Sequence, residues 1–191
     1  FPLVILYVVL ATYLVLMVLF RSVVLPLKAV IMNVMSIFAS YGALVFIFQQ
    51  GNFEGLLAFR SVGYTEATIP IIVFCIVFGL SMDYEVFLLS RIKEAYDETG
   101  DNTGSVAVGL EKTGRIITSA AIILVLVAAA FATSDVIVVK AFGVATAIAI
   151  LLDATAVRAL LVPALMRILG DWNWWAPRFL QRLLPQHRMT G

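Results

Sequence analysis

Twenty residues, FPLVILYVVLATYLVLMVLF, pass before the first charge at Arg21. At about 1.5 Å per residue, a helix of that length crosses a hydrocarbon core of about 30 Å. Backbone groups in that core find no water, so such a run is committed to helical winding. The first run covers about residues 2–20, and four others meet the same test: about 27–48, 69–91, 116–133 and 138–158. Pro26 and Pro70 open the second and third, where proline suits a helix start. The fifth is expected to continue toward Leu169 as an interfacial helix. Composition agrees: 62% of residues are hydrophobic and mean hydropathy is +1.04, whereas soluble domains are about half apolar. The expected fold is an all-α integral membrane protein, a bundle of five transmembrane helices in a cell membrane.

The basic residues orient the bundle. Of the 13 Lys and Arg residues, all except Arg60 and Lys140 fall on one side if the first span ends inside. Those on the inside are Arg21, Lys28, Arg91, Lys93, Lys112, Arg115, Arg158, Arg167, Arg178, Arg182 and Arg188. The positive-inside rule then places the N-terminus outside and the C-terminus inside. Residues 49–67 form an outer connection, and the tight link TSDVI makes spans four and five a hairpin. Residues 92–115 form the inner connection. There Val106, Leu110 and Thr113 share a face, which predicts a short helix over about 105–113 on the inner surface. Residues 1–170 constitute the bundle and 171–191 a cytoplasmic tail, with DWNWWAP as an aromatic anchor ahead of an Arg-rich end. The sequence opens inside a span without methionine, which predicts a fragment of a longer polypeptide.

Several function classes are excluded. The net charge of +1 offers no general attraction to nucleic acid. Cys75 is the only cysteine and His187 the only histidine, so neither a disulfide framework nor a Cys/His metal site can be built. Neither a phosphate loop nor a Gly-Xaa-Ser-Xaa-Gly elbow occurs.

The chemistry sits in GLSMDYEVFLLSR, residues 79–91, where carboxylates interrupt an apolar span. Asp83 lies 13 residues after Pro70, about 20 Å along the helix. Asp153 lies 13 residues after Lys140 on a span running the same way, so the two are predicted at matching depth. A charged Asp at mid-span costs about 3 kcal/mol on lenient insertion scales. Burial raises a carboxyl pKa, so such a group holds a proton and exchanges it when its surroundings change. Tyr84 sets a hydroxyl beside Asp83, able to donate to the carboxylate or to relay through water. These three are the candidate proton relay.

Glu85, Arg158, Thr118 and Ser119 are supporting candidates. Glu85 points nearly opposite Asp83. In an α-helix, Asp153 and Arg158 project about 140° apart and are poor partners. Arg158 is therefore expected to pair with Glu85 or to snorkel to the interface. Thr118 and Ser119 either add hydroxyls to the bundle or satisfy their own backbone. Asn33 and Ser36 are expected to bond between helices. Cys75, Gly79 and Asp83 share a face, as do Ala145, Ala149 and Asp153, and Gly143 and Ala147 form a further small-residue pair. Such faces allow close helix approach, which aims the carboxylates into a bundle.

FGLSMDYEVFLLSRIKEAYDETGDNTGSVAVGLEKTGRIITSAA (78–121) and LLDATAVRALLVPALMRILGDWNWWAP (151–177) closely resemble MMPL-type transporters of the resistance–nodulation–division (RND) superfamily. The resemblance runs from about Pro26 to Pro177. It implies half of a twelve-helix transporter, with this chain as the last five spans. It also implies export of lipids or hydrophobic compounds, driven by the proton gradient without a cofactor. Asp83 and Tyr84 match one proton-coupling Asp–Tyr pair, and Asp153 and Arg158 match last-helix positions that flank it. The implied partners are the absent N-terminal half, the outer domains, membrane lipids and a hydrophobic substrate. The competing expectation is a non-transporting sterol- or lipid-sensing five-helix domain, which needs no titrating mid-span carboxylate. A proton-driven protein-secretion helper is a third expectation.

Overall fold

The computed structural model describes residues 2–61 and 63–177. Arg178, Arg182, His187 and Arg188 of the expected tail lie outside the described residues. Among the described residues every regular element is helical. Five helical stretches are long and apolar enough to cross a membrane: Pro2–Phe20, Val24–Gln49, Thr68–Thr99, Asn102–Thr133 and Ile137–Trp174.

Helix α1 is Pro2–Phe20, with proline at its first position, and it stops where Arg21 takes φ +52°. Helix α2 is Val24–Leu44, extended by a π turn over Val45–Gln49. A short α3 spans Glu54–Leu57, and α4 spans Thr68–Thr99. Pro26 and Pro70 sit in the first turns of α2 and α4, where the missing N–H has no helical partner to lose. Helix α5 is Asn102–Ala130, followed by a 3-10 turn, Phe131–Thr133. Helix α6, Ile137–Leu152, passes into a π-wound segment, Asp153–Leu161, then α7, Val162–Leu169, and a final 3-10 turn, Gly170–Trp174.

The chain forms two compact units, and α2, α4 and α5 contribute to both. Among the described residues the first comprises 2–32, 85–114 and 161–177. Its buried side chains include Phe20, Leu25, Leu88, Leu89, Ile92 and Met166. Gly100, at φ +68°, ends α4. Asp101 then accepts the N–H groups of Thr103 and Gly104, each at 3.0 Å, and caps α5. Gly109 lets α5 press against α4, since a Cβ there would lie 3.1 Å from the Ile92 backbone nitrogen.

This unit corrects two expectations. The surface helix over 105–113 is not separate; it is the first part of α5, continuous through Ala130. Nothing between these residues breaks helical winding as a proline does, and Asp101 starts the helix early. The bundle also does not stop at residue 170. The Asn173 amide donates to the Met166 and Gly170 carbonyls at 2.7 Å, and the Ser22 hydroxyl donates to the Asn173 carbonyl at 2.5 Å. The Trp174 ring stacks on Tyr96 at 4.3 Å, and its Nε1 donates to Asn102 at 3.1 Å. Trp172 and Trp175 remain exposed.

The second unit comprises residues 33–84 and 115–160. The Asn33 amide donates to the Phe78 carbonyl at 3.3 Å, and the Tyr41 hydroxyl to the Pro70 carbonyl at 2.6 Å, joining α2 to α4. Helices α5 and α6 form the expected hairpin. A Cβ on Gly143 would lie 2.6 Å from the Ala128 carbonyl oxygen, so only glycine permits that approach. The buried Lys140 ammonium donates to the Leu57 and Ala58 carbonyls at the end of α3.

Candidate functional site

The site lies in the second unit, where α6 gives way to π winding. The Asp153 and Arg158 side chains are in contact, with Nη2 2.5 Å from Oδ2. The expectation that they are poor partners is thus overturned, and the reason is geometric. It assumed α winding, which turns about 100° per residue. The chain from Asp153 to Leu161 is π-wound, with i→i+5 bonding that stacks residues five apart. Two residues past that segment, Pro163 has no N–H for the Ala159 carbonyl, so regular α bonding is already interrupted there.

Both charges are buried, Asp153 at 7% and Arg158 at 4% exposure. Arg158 Nη2 also donates to the Ser81 carbonyl at 2.6 Å and to the Ser81 hydroxyl at 3.1 Å. Its guanidinium lies 5.1 Å from the centre of the Tyr84 ring, a cation–π distance. The Ser36 hydroxyl donates to Asp153 Oδ1 at 3.4 Å. Tyr84, Ser81, Asp153 and Arg158 line one small cavity, closed by Ile117 and Ala121 of α5. Its volume is about 10 Å³, close to the minimum that one water requires.

Asp83 is not part of this cluster. It is exposed, as are Cys75 and Gly79 on the same face of α4. The expectation that this face turns into the bundle does not hold for this chain, whose other helices leave it uncovered. Tyr84 departs from expectation as well: its ring serves Arg158, and among the described residues no hydrogen bond joins it to Asp83. Thr118 and Ser119 are exposed, and the Ser119 hydroxyl bonds back to the Arg115 carbonyl at 2.8 Å. That decides for backbone satisfaction at Ser119.

Glu85 belongs to the first unit. It is 4% exposed and acts electrostatically on Lys28, itself 6% exposed. Lys28 Nζ has no hydrogen-bond partner. Sequence reasoning counted Lys28 only as an inner-side charge and passed over Ser81. For Lys28 the signal was present, since a cation two residues beyond Pro26 in an apolar run calls for a carboxylate. For Ser81 there was none, because a lone serine in a span commonly bonds its own helix.

Comparison with known proteins bears on this arrangement. The model of the MMPL family matches residues 2–188. This chain belongs to the MMPL family. The mycolic acid-containing lipids exporter MmpL11 of Mycolicibacterium smegmatis is 47% identical over 185 residues, which is 97% of this chain and 19% of that protein. The heme uptake protein MmpL11 of Mycobacterium tuberculosis (H37Rv) is 46% identical over 184 residues, 96% of this chain and 19% of the relative. The trehalose monomycolate exporter MmpL3 of the same organism is 45% identical over 164 residues, 86% of this chain and 17% of the relative. This MMPL chain therefore spans about a fifth of the length of the curated relatives it matches. With its five long apolar helices, it is a multi-pass membrane protein.

Proposed function

We propose that this chain supplies one half of the membrane bundle of a proton-coupled exporter of lipids or other hydrophobic compounds. The observation that carries the proposal is the buried Asp153–Arg158 pair, set with Tyr84 around a cavity of about 10 Å³. A carboxylate buried in a span is costly unless it is paired, and such groups mark proton relays in pumps and transporters. Asp153 is the carboxylate that accepts a proton arriving through that cavity, and Arg158 is its counter-charge. Asp83 stands on the uncovered face of α4 and meets the other half of the polypeptide, where a second carboxylate or hydroxyl completes the path. The N-terminus lies outside and the C-terminus inside, as the basic residues indicate. The names of relatives support lipids as the substrate class. One MmpL11 relative is named for the export of mycolic acid-containing lipids and another for heme uptake.

The test uses the full-length protein in vesicles with an imposed pH gradient. Asp83→Asn and Asp153→Asn are each expected to abolish gradient-driven lipid export and the accompanying proton flux at normal expression. Normal export by both variants would sink the proposal. Saturable lipid binding without any gradient-driven transport would favour a sensor instead.

A further inference from the structure

Asp153 and Arg158 touch only because residues 153–161 are π-wound. In α winding the two side chains project about 140° apart and the contact cannot form. The ion pair and the winding therefore presuppose each other. We propose, resting on the proton-coupled reading above, that this pair is a latch. It holds Asp153–Leu161 in π winding while Asp153 is ionised, and protonation of Asp153 releases the segment into α winding.

The proton balance is simple. The Asp153 carboxylate gains one proton delivered from the aqueous phase as hydronium, forming an O–H bond and losing its negative charge, and a neutral water is left behind. Arg158 stays protonated throughout. The groups facing Asp153 are the Ser36 hydroxyl from α2, Ser81 and Tyr84 from α4, and Ile117 and Ala121 from α5. Among the residues lining that cavity, Arg158 is the one other charged side chain. Neutralising Asp153 thus removes the attraction that closes the latch and leaves no competing ion pair in its place.

The two ends are unequally held. Arg158 is tied to α4 by both bonds to Ser81 and by the Tyr84 ring. Asp153 has, besides Arg158, one 3.4 Å bond from Ser36. The released segment therefore moves at Asp153 while Arg158 stays on α4. Pro163 lacks an N–H whether the bond sought is i→i+4 or i→i+5, so neither winding gains over the other at that end. Rewinding Asp153–Leu161 from i→i+5 to i→i+4 bonding changes the turn and rise of each of its nine residues, so one end of the segment rotates and shifts against the other. Proton binding at one carboxylate becomes a rigid displacement along the last span.

The experiment is spin-label distance measurement on the full-length protein in a cysteine-free background. Labels replace Leu151 and Ile168, both exposed and on either side of the π segment. The wild type is expected to shift its distance distribution between neutral and acidic buffer. Asp153→Asn is expected to show the acid distance in both. Arg158→Gln breaks the same contact from the other side and is expected to do likewise, so a folding failure in one variant leaves the other. Deletion of Ala156 puts Arg158 four residues from Asp153. That variant is expected to keep the pair in α winding, show one pH-independent distance and lose export. The neutral distance persisting in both substitution variants would overturn the latch. So would normal export by the deletion variant. Loss of export in Asp153→Asn with no change in distance would overturn the latch and leave the proton-coupled reading standing.

Discussion

At the scale of single residues, the buried Asp153–Arg158 ion pair and the buried Lys28 and Glu85 charges differ in character. Asp153 and Arg158 are in direct contact and share Ser36, Ser81 and Tyr84 as neighbours. Removing one partner of a buried pair typically costs about 3–5 kcal/mol, because the remaining charge is left uncompensated. Arg158→Met strands the Asp153 carboxylate with one long bond, whereas Asp153→Asn leaves Arg158 on the Ser81 carbonyl. Thermal unfolding in detergent is therefore expected to show the larger loss for Arg158→Met, and the double variant is expected to recover much of it. An additive double variant would contradict that coupling. The same logic applies to Lys28 and Glu85. Lys28→Met is expected to lower the unfolding temperature by removing a cation that acts on the buried Glu85 carboxylate, and adding Glu85→Gln to restore part of it.

At the scale of elements, glycines decide where helices touch. A methyl on Gly143 meets the Ala128 carbonyl oxygen at 2.6 Å and the Phe131 side chain. Backbone cannot yield, so Gly143→Ala is expected to cost about 1–3 kcal/mol through overpacking. Gly114 on α5 has nothing within 4 Å of such a methyl. Gly114→Ala is expected to be neutral, or stabilising by about 0.5–1 kcal/mol through helix propensity. The pair of variants, compared by thermal unfolding, checks the hairpin geometry. Helix α5 also shows why its continuity escaped the sequence. A polar, glycine-containing stretch, NTGSVAVGLEKTG, reads as a surface segment next to an apolar one. Gly109 is there because α5 lies against Ile92, a contact that no local pattern contains.

At the scale of the whole molecule, the face of α4 carrying Cys75, Gly79 and Asp83 is exposed, and of α1 only Leu16 and Phe20 are buried. On the proposed reading, the other half of the transporter covers this surface. Cys75 is expected to react rapidly with a membrane-permeant maleimide in the isolated chain and slowly in the full-length protein. Equal rates would place the α4 face against lipid instead. The sequence by itself determined the helical class, the five spans and the family resemblance, because a bilayer leaves a twenty-residue apolar run one way to satisfy its backbone. It also marked Asp83 and Asp153 as costly charges. It could not assign their partners. The argument that separated Asp153 from Arg158 was sound for α winding, and only the folded chain, π-wound from Asp153 to Leu161, brought them to 2.5 Å. Winding of this kind is decided by packing and by buried charge seeking charge across helices. Those forces act between residues as far apart as Ser36, Ser81 and Arg158.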